Sequence, residues 1–100
     1  MTHKTESIEI NDREKLALQN VKLYSININV GGGIRHKHEV DGSTSKADLV
    51  TLAEDMAFEA FRPSMIYATG LIGDMEVPVL VATFKPRGKS GTWKTVEAFA

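Results

Sequence analysis

The chain has 100 residues and a formal net charge of -1, so we expect one domain without a global attraction to nucleic acid. Hydrophobic residues make up 42% of the sequence, which excludes the composition of a disordered protein. The absence of cysteine excludes disulfides, thiolate catalysis and cysteine-based zinc sites.

We therefore expect residues 1–100 to form a single small globular domain, and we leave open that residues 1–7 are flexible. No apolar run approaches the ~20 residues of a membrane-spanning helix. The first ten residues, MTHKTESIEI, lack the apolar centre of a secretory signal. These features predict a cytoplasmic protein that does not contact a membrane.

The N-terminal part predicts two short elements. Ile8 and Ile10 alternate with Glu9, which indicates a short edge strand. In residues 11–20, Asn11 and Glu14 have the spacing of a capping box, which favours a short helix. A long turn between two strands is the alternative interpretation of the same segment.

Residues 21–30 have the alternation of a strand with one buried face. The apolar positions of this strand are Tyr24, Ile26, Ile28 and Val30. The opposite face is polar and carries Ser25, Asn27 and Asn29. Three glycines at 31–33 allow a tight reversal and predict a hairpin into residues 34–40. The many charges of that second strand are typical of a sheet edge.

Residues 45–61 show the clearest pattern in the chain, with apolar residues at the three- and four-residue intervals of an amphipathic helix. This apolar stripe comprises Leu49, Leu52, Ala53, Met56, Ala60 and Phe61. Ser45 and Asp48 have the spacing of a capping box, and Pro63 ends the helix because the residue before a proline avoids the helical region. A helix of this length needs an apolar surface to lie on.

The last third predicts three strands. Residues 65–72 and 76–85 flank a turn at Gly73 and Asp74, and Pro78 is expected on the free side of its strand. Val77, Val79 and Val81 are predicted on one face, with Leu80, Ala82 and Phe84 on the other. Residues 92–99 predict a last strand or a short helix. The whole pattern predicts an α+β fold with a mostly antiparallel sheet of four to five strands and helix 45–61 packed on one face.

No motif in the sequence indicates catalysis. His36 and His38 lie on the same face of a strand, where two imidazoles could share a metal, but a catalytic zinc needs three protein ligands. Exposed histidines of an edge strand are the simpler interpretation. We therefore expect no enzymatic activity, no metal and no cofactor, with a small histidine- or metal-dependent enzyme as the remote alternative.

The leading functional hypothesis is a protein-binding module such as an adaptor, an assembly subunit or a small phage-type inhibitor that acts by surface contact. Its partner would be another protein or a second copy of the chain. The candidate partner-binding residues are Asp48, Asp55 and Glu59 on the helix and Ser25, Asn27 and Asn29 on the polar strand face. Strand addition at an open sheet edge is an alternative mode of contact.

The alternative hypothesis is nucleic-acid binding by two basic clusters and an aromatic ring, since phosphate contacts combine with base stacking in such sites. The residues concerned are Arg35, Lys37, Arg87, Lys89, Trp93 and Lys94. A core position for Trp93, with the lysines as a solvated rim, is the competing interpretation of the second cluster.

Overall fold

A computed structural model of the chain describes residues 4–99. The elements are β1 (Lys4–Ser7), α1 (Asp12–Ala17), β2 (Val21–Gly31), β3 (Ile34–Asp41), α2 (Lys46–Ala60), β4 (Ser64–Ile72), β5 (Met75–Arg87), β6 (Ser90–Thr95) and a 3₁₀ turn (Glu97–Phe99). This order matches the predicted one, and residues 92–99 form both a strand end and a helical turn. The α+β class is confirmed.

The sheet is larger than predicted and mixed, because it has six strands in the order β1-β6-β5-β4-β2-β3. β1 pairs in parallel with β6, and the other pairs are antiparallel. The sequence pattern placed the first strand at Ile8 and Ile10, but the strand lies at Lys4–Ser7. Ile8 still donates its N–H to the Thr95 carbonyl at 2.7 Å, and both isoleucines then pack against the core.

The predicted capping box begins α1, whereas α2 shows only the Ser45 half of the predicted one. In α1, the Asn11 side chain accepts from the Glu14 N–H at 2.8 Å and the Glu14 carboxylate accepts from the Asn11 N–H at 3.2 Å. In α2, the Ser45 hydroxyl accepts from the Asp48 N–H at 3.2 Å. These bonds satisfy donors that the first helical turn leaves free. Within residues 4–99, neither helix has the length and apolar composition needed to cross a membrane.

The prediction that Phe61 belongs to the buried stripe of α2 is wrong. The residue ends the helix in the left-handed region, with φ 54°, and is 87% exposed. A left-handed residue no longer follows the helical wheel, so the pattern of the preceding turns does not apply to its side chain. Leu49 and Ala53 of the predicted stripe are buried together with Ala57, and Leu52 and Met56 are half-buried against the core, as predicted.

The core lies between α2 and the sheet. The most buried side chains of the strands include Ile26 of β2, Ile66 of β4 and Phe84 of β5. The Phe84 ring lies edge-on to Phe58 of α2, with ring centroids 5.5 Å apart. Such edge-to-face pairs add to the free energy gained from burying apolar area.

The predicted faces of β5 are wrong in part. The register shifts between the pairs Ile66–Ala82 and Tyr67–Leu80, which leaves Val81 as an extra residue. Because a bulge shifts the alternation by one residue, Ala82 and Phe84 lie on the α2 side together with the valines and are fully buried. Leu80 remains on the opposite face, as its partner Tyr67 does.

α1 lies on the same side of the sheet as α2 and approaches β4 closely. A methyl group at Gly70 would overlap the carbonyl oxygen of Ala17. The Leu71 N–H also donates to the Asn20 carbonyl at 2.9 Å. The missing side chain of Gly70 therefore makes room for the end of α1 on the strand.

Candidate functional site: the open face of the sheet

The two faces of the sheet are unequal. Buried residues of α1, α2 and the 3₁₀ turn all belong to one core cluster on one face, which we call the covered face. Within the described residues, no helix lies on the opposite face, which we call the open face. By strand alternation, this face carries the neighbours of the buried residues along each strand.

Half-buried apolar side chains run across the centre of the open face. This apolar strip comprises Leu23, Met65, Tyr67, Leu71 and Leu80, none of which packs against the core cluster. Tyr67 and Leu80 are direct partners on β4 and β5. Sequence reasoning missed the strip as a site, although the alternating apolar residues on both faces of residues 65–72 and 76–85 were a signal for it.

The polar residues predicted on β2 lie beside this strip. Ser25 is only 6% exposed, and its hydroxyl accepts from the Asn27 amide at 3.1 Å. The side-chain amide oxygen (Oδ1) of Asn29 accepts from the Gly31 N–H at 3.0 Å and so stabilises the hairpin turn. Asn29 remains exposed, whereas Asn27 is half-buried.

Both basic clusters meet at one end of the open face, which we call the cationic end. Its members are Arg35, Lys37, Lys85, Arg87 and Lys94, with Lys89 in the adjacent β5–β6 turn. Lys37 and Lys94 form exposed ion pairs with Glu39 and Glu6, at 3.6 Å and 3.7 Å. Residues from distant parts of the sequence meet here because the two hairpins β2–β3 and β5–β6 turn at the same end of the sheet.

The other end of the open face, which we call the anionic end, carries Asp41 and Glu76, and Glu39 lies between the two ends in line with Tyr67 and Leu80. Glu76 pairs with Lys22 at 3.1 Å. Hydrogen bonds from the Ser43 hydroxyl and N–H lower the pKa of Asp41 below its usual value. Asp41 therefore keeps its negative charge to lower pH than an ordinary aspartate.

Trp93 cannot serve as a stacking platform for a base. It is 6% exposed on the covered face, and its ring centroid lies 4.9 Å from that of Phe84. The interpretation of Trp93 as a core residue is therefore confirmed. The physical reason is the register of β6, which places Trp93 opposite Phe84 and Lys94 opposite Thr83.

The acidic residues predicted on the helix form a separate surface. Asp48, Asp55 and Glu59 are all exposed on α2. Because α2 covers the other side of the sheet, these carboxylates are remote from the open face. The six residues predicted to bind a partner thus divide between two opposite surfaces.

The two histidines lie on the helix side of the edge strand β3, since their partners on β2 are Ile28 and Ile26. His36 lines a groove of about 290 Å³ together with Met56 and Glu59 of α2. In the part of the chain that the structure describes, no group of three or more His, Asp or Glu side chains could hold a metal ion.

A wider concavity of about 840 Å³ lies at the other margin of the sheet. It is lined by residues 7–10, by Lys15 and Leu18 near α1, and by residues around Glu97. Its walls come from the ends of β1 and β6, one short helix and the 3₁₀ turn.

Comparison with known proteins found no family model, no curated protein and no solved structure that matches this chain.

Proposed function

We propose that the protein is a non-enzymatic protein-binding module whose binding surface is the open face of the sheet. The observation that carries this proposal is the apolar strip, which lies outside the core and is bordered by charged residues at both ends. An apolar centre with a polar rim is the usual anatomy of a protein interface. The identity of the bound partner decides whether the protein acts as an adaptor, an assembly subunit or an inhibitor.

The open face supports this role better than the acidic surface of α2. Asp48, Asp55 and Glu59 offer charge without an adjacent apolar strip, and exposed ion pairs contribute about 0–1 kcal/mol each. Tyr67 is an aromatic residue of the type enriched in interface centres, and it lies next to Leu80. Ser25, Asn27 and Asn29 extend the same surface with polar contacts.

Affinity capture from a nuclease-treated lysate of the source cells tests the proposal. We expect the wild-type chain to retain a protein partner and Leu80→Glu to lose it, because the new carboxylate would be desolvated at the centre of the interface. Asp55→Lys is the matched control, since it changes an exposed charge on the opposite surface. Circular dichroism checks that both variants are folded.

Retention of the partner by Leu80→Glu would contradict the open face as the binding surface. Loss of the partner in Asp55→Lys alone would assign binding to the acidic surface of α2 instead.

The second candidate function is nucleic-acid binding, which the gathering of five cations at the cationic end supports. Affinity for short DNA and RNA strands would then fall steeply with salt, because bound phosphates release counterions. Arg87→Gln and Lys85→Gln would both reduce this slope. A flat salt dependence would remove this candidate.

A further inference from the structure

The charges of the open face are arranged about its centre in a way that matches a copy of itself. On β5, Glu76 lies four residues before Leu80 and Lys85 lies five residues after it. Val81, which has no partner on β4, takes up the additional residue, so the two charges are about equally far from Leu80 along the strand. One strand therefore carries opposite charges at equal distances from its centre.

The edge strand β3 has the same arrangement. Lys37 lies two residues before Glu39 and Asp41 lies two residues after it, and all three are on the open face. Glu39 is paired with Ser25 of β2, which in turn pairs with Tyr67, the partner of Leu80. The centres of both arrangements thus lie on one line across the strands.

We propose that the open face binds a second copy of this chain about a two-fold axis that crosses the strands at Leu80. Rotation about such an axis places each of the strands β2–β5 against its own copy in the reversed direction. Lys85 of one copy then faces Glu76 of the other, and Lys37 faces Asp41, twice each. Glu39 lies on the axis and faces its own copy with the same charge, and the Lys37 amine 3.6 Å away in the same chain reduces this repulsion. The apolar strip meets itself at the centre. The inference rests on the proposed function, because it names the occupant of the same face.

The charges at the two ends of the face favour this occupant. The cationic end and the anionic end would repel a copy placed in the parallel direction and attract one placed in the reversed direction, so the orientation is selected. Glu76 already has Lys22 as an exposed partner at 3.1 Å. Exposed pairs of this kind are weak, so the same carboxylate can also accept Lys85 from a second copy.

The size of the face permits a weak dimer. β6 pairs only with residues 82–87 of β5, and β1 pairs only with β6, so both lie on one side of the Leu80 line and only β2–β5 meet their own copies. Four strands spaced ~4.8 Å apart span ~14 Å, and eight residues along a strand span ~26 Å. The footprint is therefore about 370 Å² on each copy, which is the size of a weak, transient contact. Two sheets packed face to face in this way lie ~10 Å apart with their strands nearly aligned. We expect a dimer with a dissociation constant in the micromolar range.

Sedimentation velocity of the purified full chain over about 1 to 300 μM tests the inference, since this range covers micromolar affinities. We expect a monomer–dimer equilibrium that weakens at high salt, because screening shortens the Debye length from ~10 Å at 0.1 M to ~3 Å at 1 M. Glu76→Lys and Lys85→Glu should each raise the dissociation constant about tenfold, since each reversal affects two symmetry-related contacts.

The double variant Glu76→Lys with Lys85→Glu exchanges the two charges, so each contact between the copies again joins a lysine and a glutamate. We expect this variant to dimerise nearly as well as the wild type. Asp55→Lys is the control for a change in net charge, and it should leave the equilibrium unchanged. Thermal unfolding of each variant shows whether the fold is retained.

Three results would overturn the inference. They are a chain that stays monomeric over the whole range, a dimer that the single reversals leave intact, and a double variant as weak as the single ones. If the chain stays monomeric but binds a different protein, and Leu80→Glu abolishes that binding, the dimer is overturned and the proposed function stands. A monomer that binds only nucleic acid overturns both.

Discussion

The covered and open faces of the sheet differ in what their side chains do. On the covered face, Ile26, Ile66 and Phe84 are fully buried under α2, and their contribution is to stability. On the open face, Tyr67 and Leu80 are half-buried without belonging to the core. Side chains in the same strands, one position apart, thus have different tasks. The comparison teaches that apolar character alone does not identify the core in a two-layer protein.

The largest expected difference is between Phe84 and Tyr67. Phe84→Ala should lower the free energy of unfolding by about 3–5 kcal/mol, because it leaves a cavity between Phe58 and Trp93. Tyr67→Ala should cost only about 1 kcal/mol, since its ring is half-buried. Urea unfolding at low protein concentration measures both. If Phe84→Ala does not fold, Phe84→Leu replaces it in the comparison. Equal losses of unfolding free energy at Phe84 and Tyr67 would contradict the different roles of the two faces.

Gly70→Ala tests the contact between α1 and the covered face. Because the added methyl group overlaps the Ala17 carbonyl, we expect a loss of about 1–3 kcal/mol and faster hydrogen exchange in α1. Thr69→Ala, one residue away on the open face, is the control and should change exchange in α1 little. Unchanged exchange in the glycine variant would show that α1 can move without cost.

Two buried serines on opposite faces allow a finer comparison. The Ser64 hydroxyl donates to the Ala53 carbonyl of α2 at 2.7 Å, so Ser64→Ala should cost about 1 kcal/mol. Ser25→Ala should cost less, because the Asn27 amide keeps the Ser25 backbone carbonyl as a second acceptor at 3.4 Å. Chemical denaturation of both variants measures the difference. A larger loss for Ser25 would contradict the assignment of the two faces.

The smallest expected effect concerns Asp41, which is fully exposed. Its pKa in the folded chain is lowered from 3.8 by the hydrogen bonds from Ser43, so its charged form stabilises the fold. That contribution is present above the ordinary pKa and is lost as pH falls through the lower folded value. Asp41→Asn should therefore be slightly less stable than wild type at neutral pH. The difference should vanish once the pH lies below the lowered pKa of the folded chain, as thermal unfolding at several pH values can show.

Local signals in the sequence predicted most of the individual elements. The Asn11–Glu14 and Ser45–Asp48 caps, the glycine turn at 31–33 and the alternation of β2 each depend on neighbours within a few residues. The physical chemistry of a cap or turn is complete within such a segment, and it can be recognised without the rest of the chain. The short helix α1, for which a turn was the alternative, was predictable for this reason.

The errors arose where a distant contact decides the outcome. β1 is a strand because β6, far along the chain, pairs with it in parallel. The bulge at Val81 moved Ala82 and Phe84 to the covered face, and the left-handed end of α2 moved Phe61 into solvent. Gly70 was a signal that could have located α1, since a glycine inside a strand often marks a close approach of backbone.

The candidate site was only partly accessible from sequence. The polar face of β2 and the charged residues of both basic clusters were visible as patterns, but their meeting on one surface was not. Periodicity determines which side chains share a face of one strand, because this relation is local. Other features are relations between distant segments. These are the order of the strands, the coverage of one face by α2, and the positions of opposite charges at the two ends of the open face. They exist only once the chain has folded.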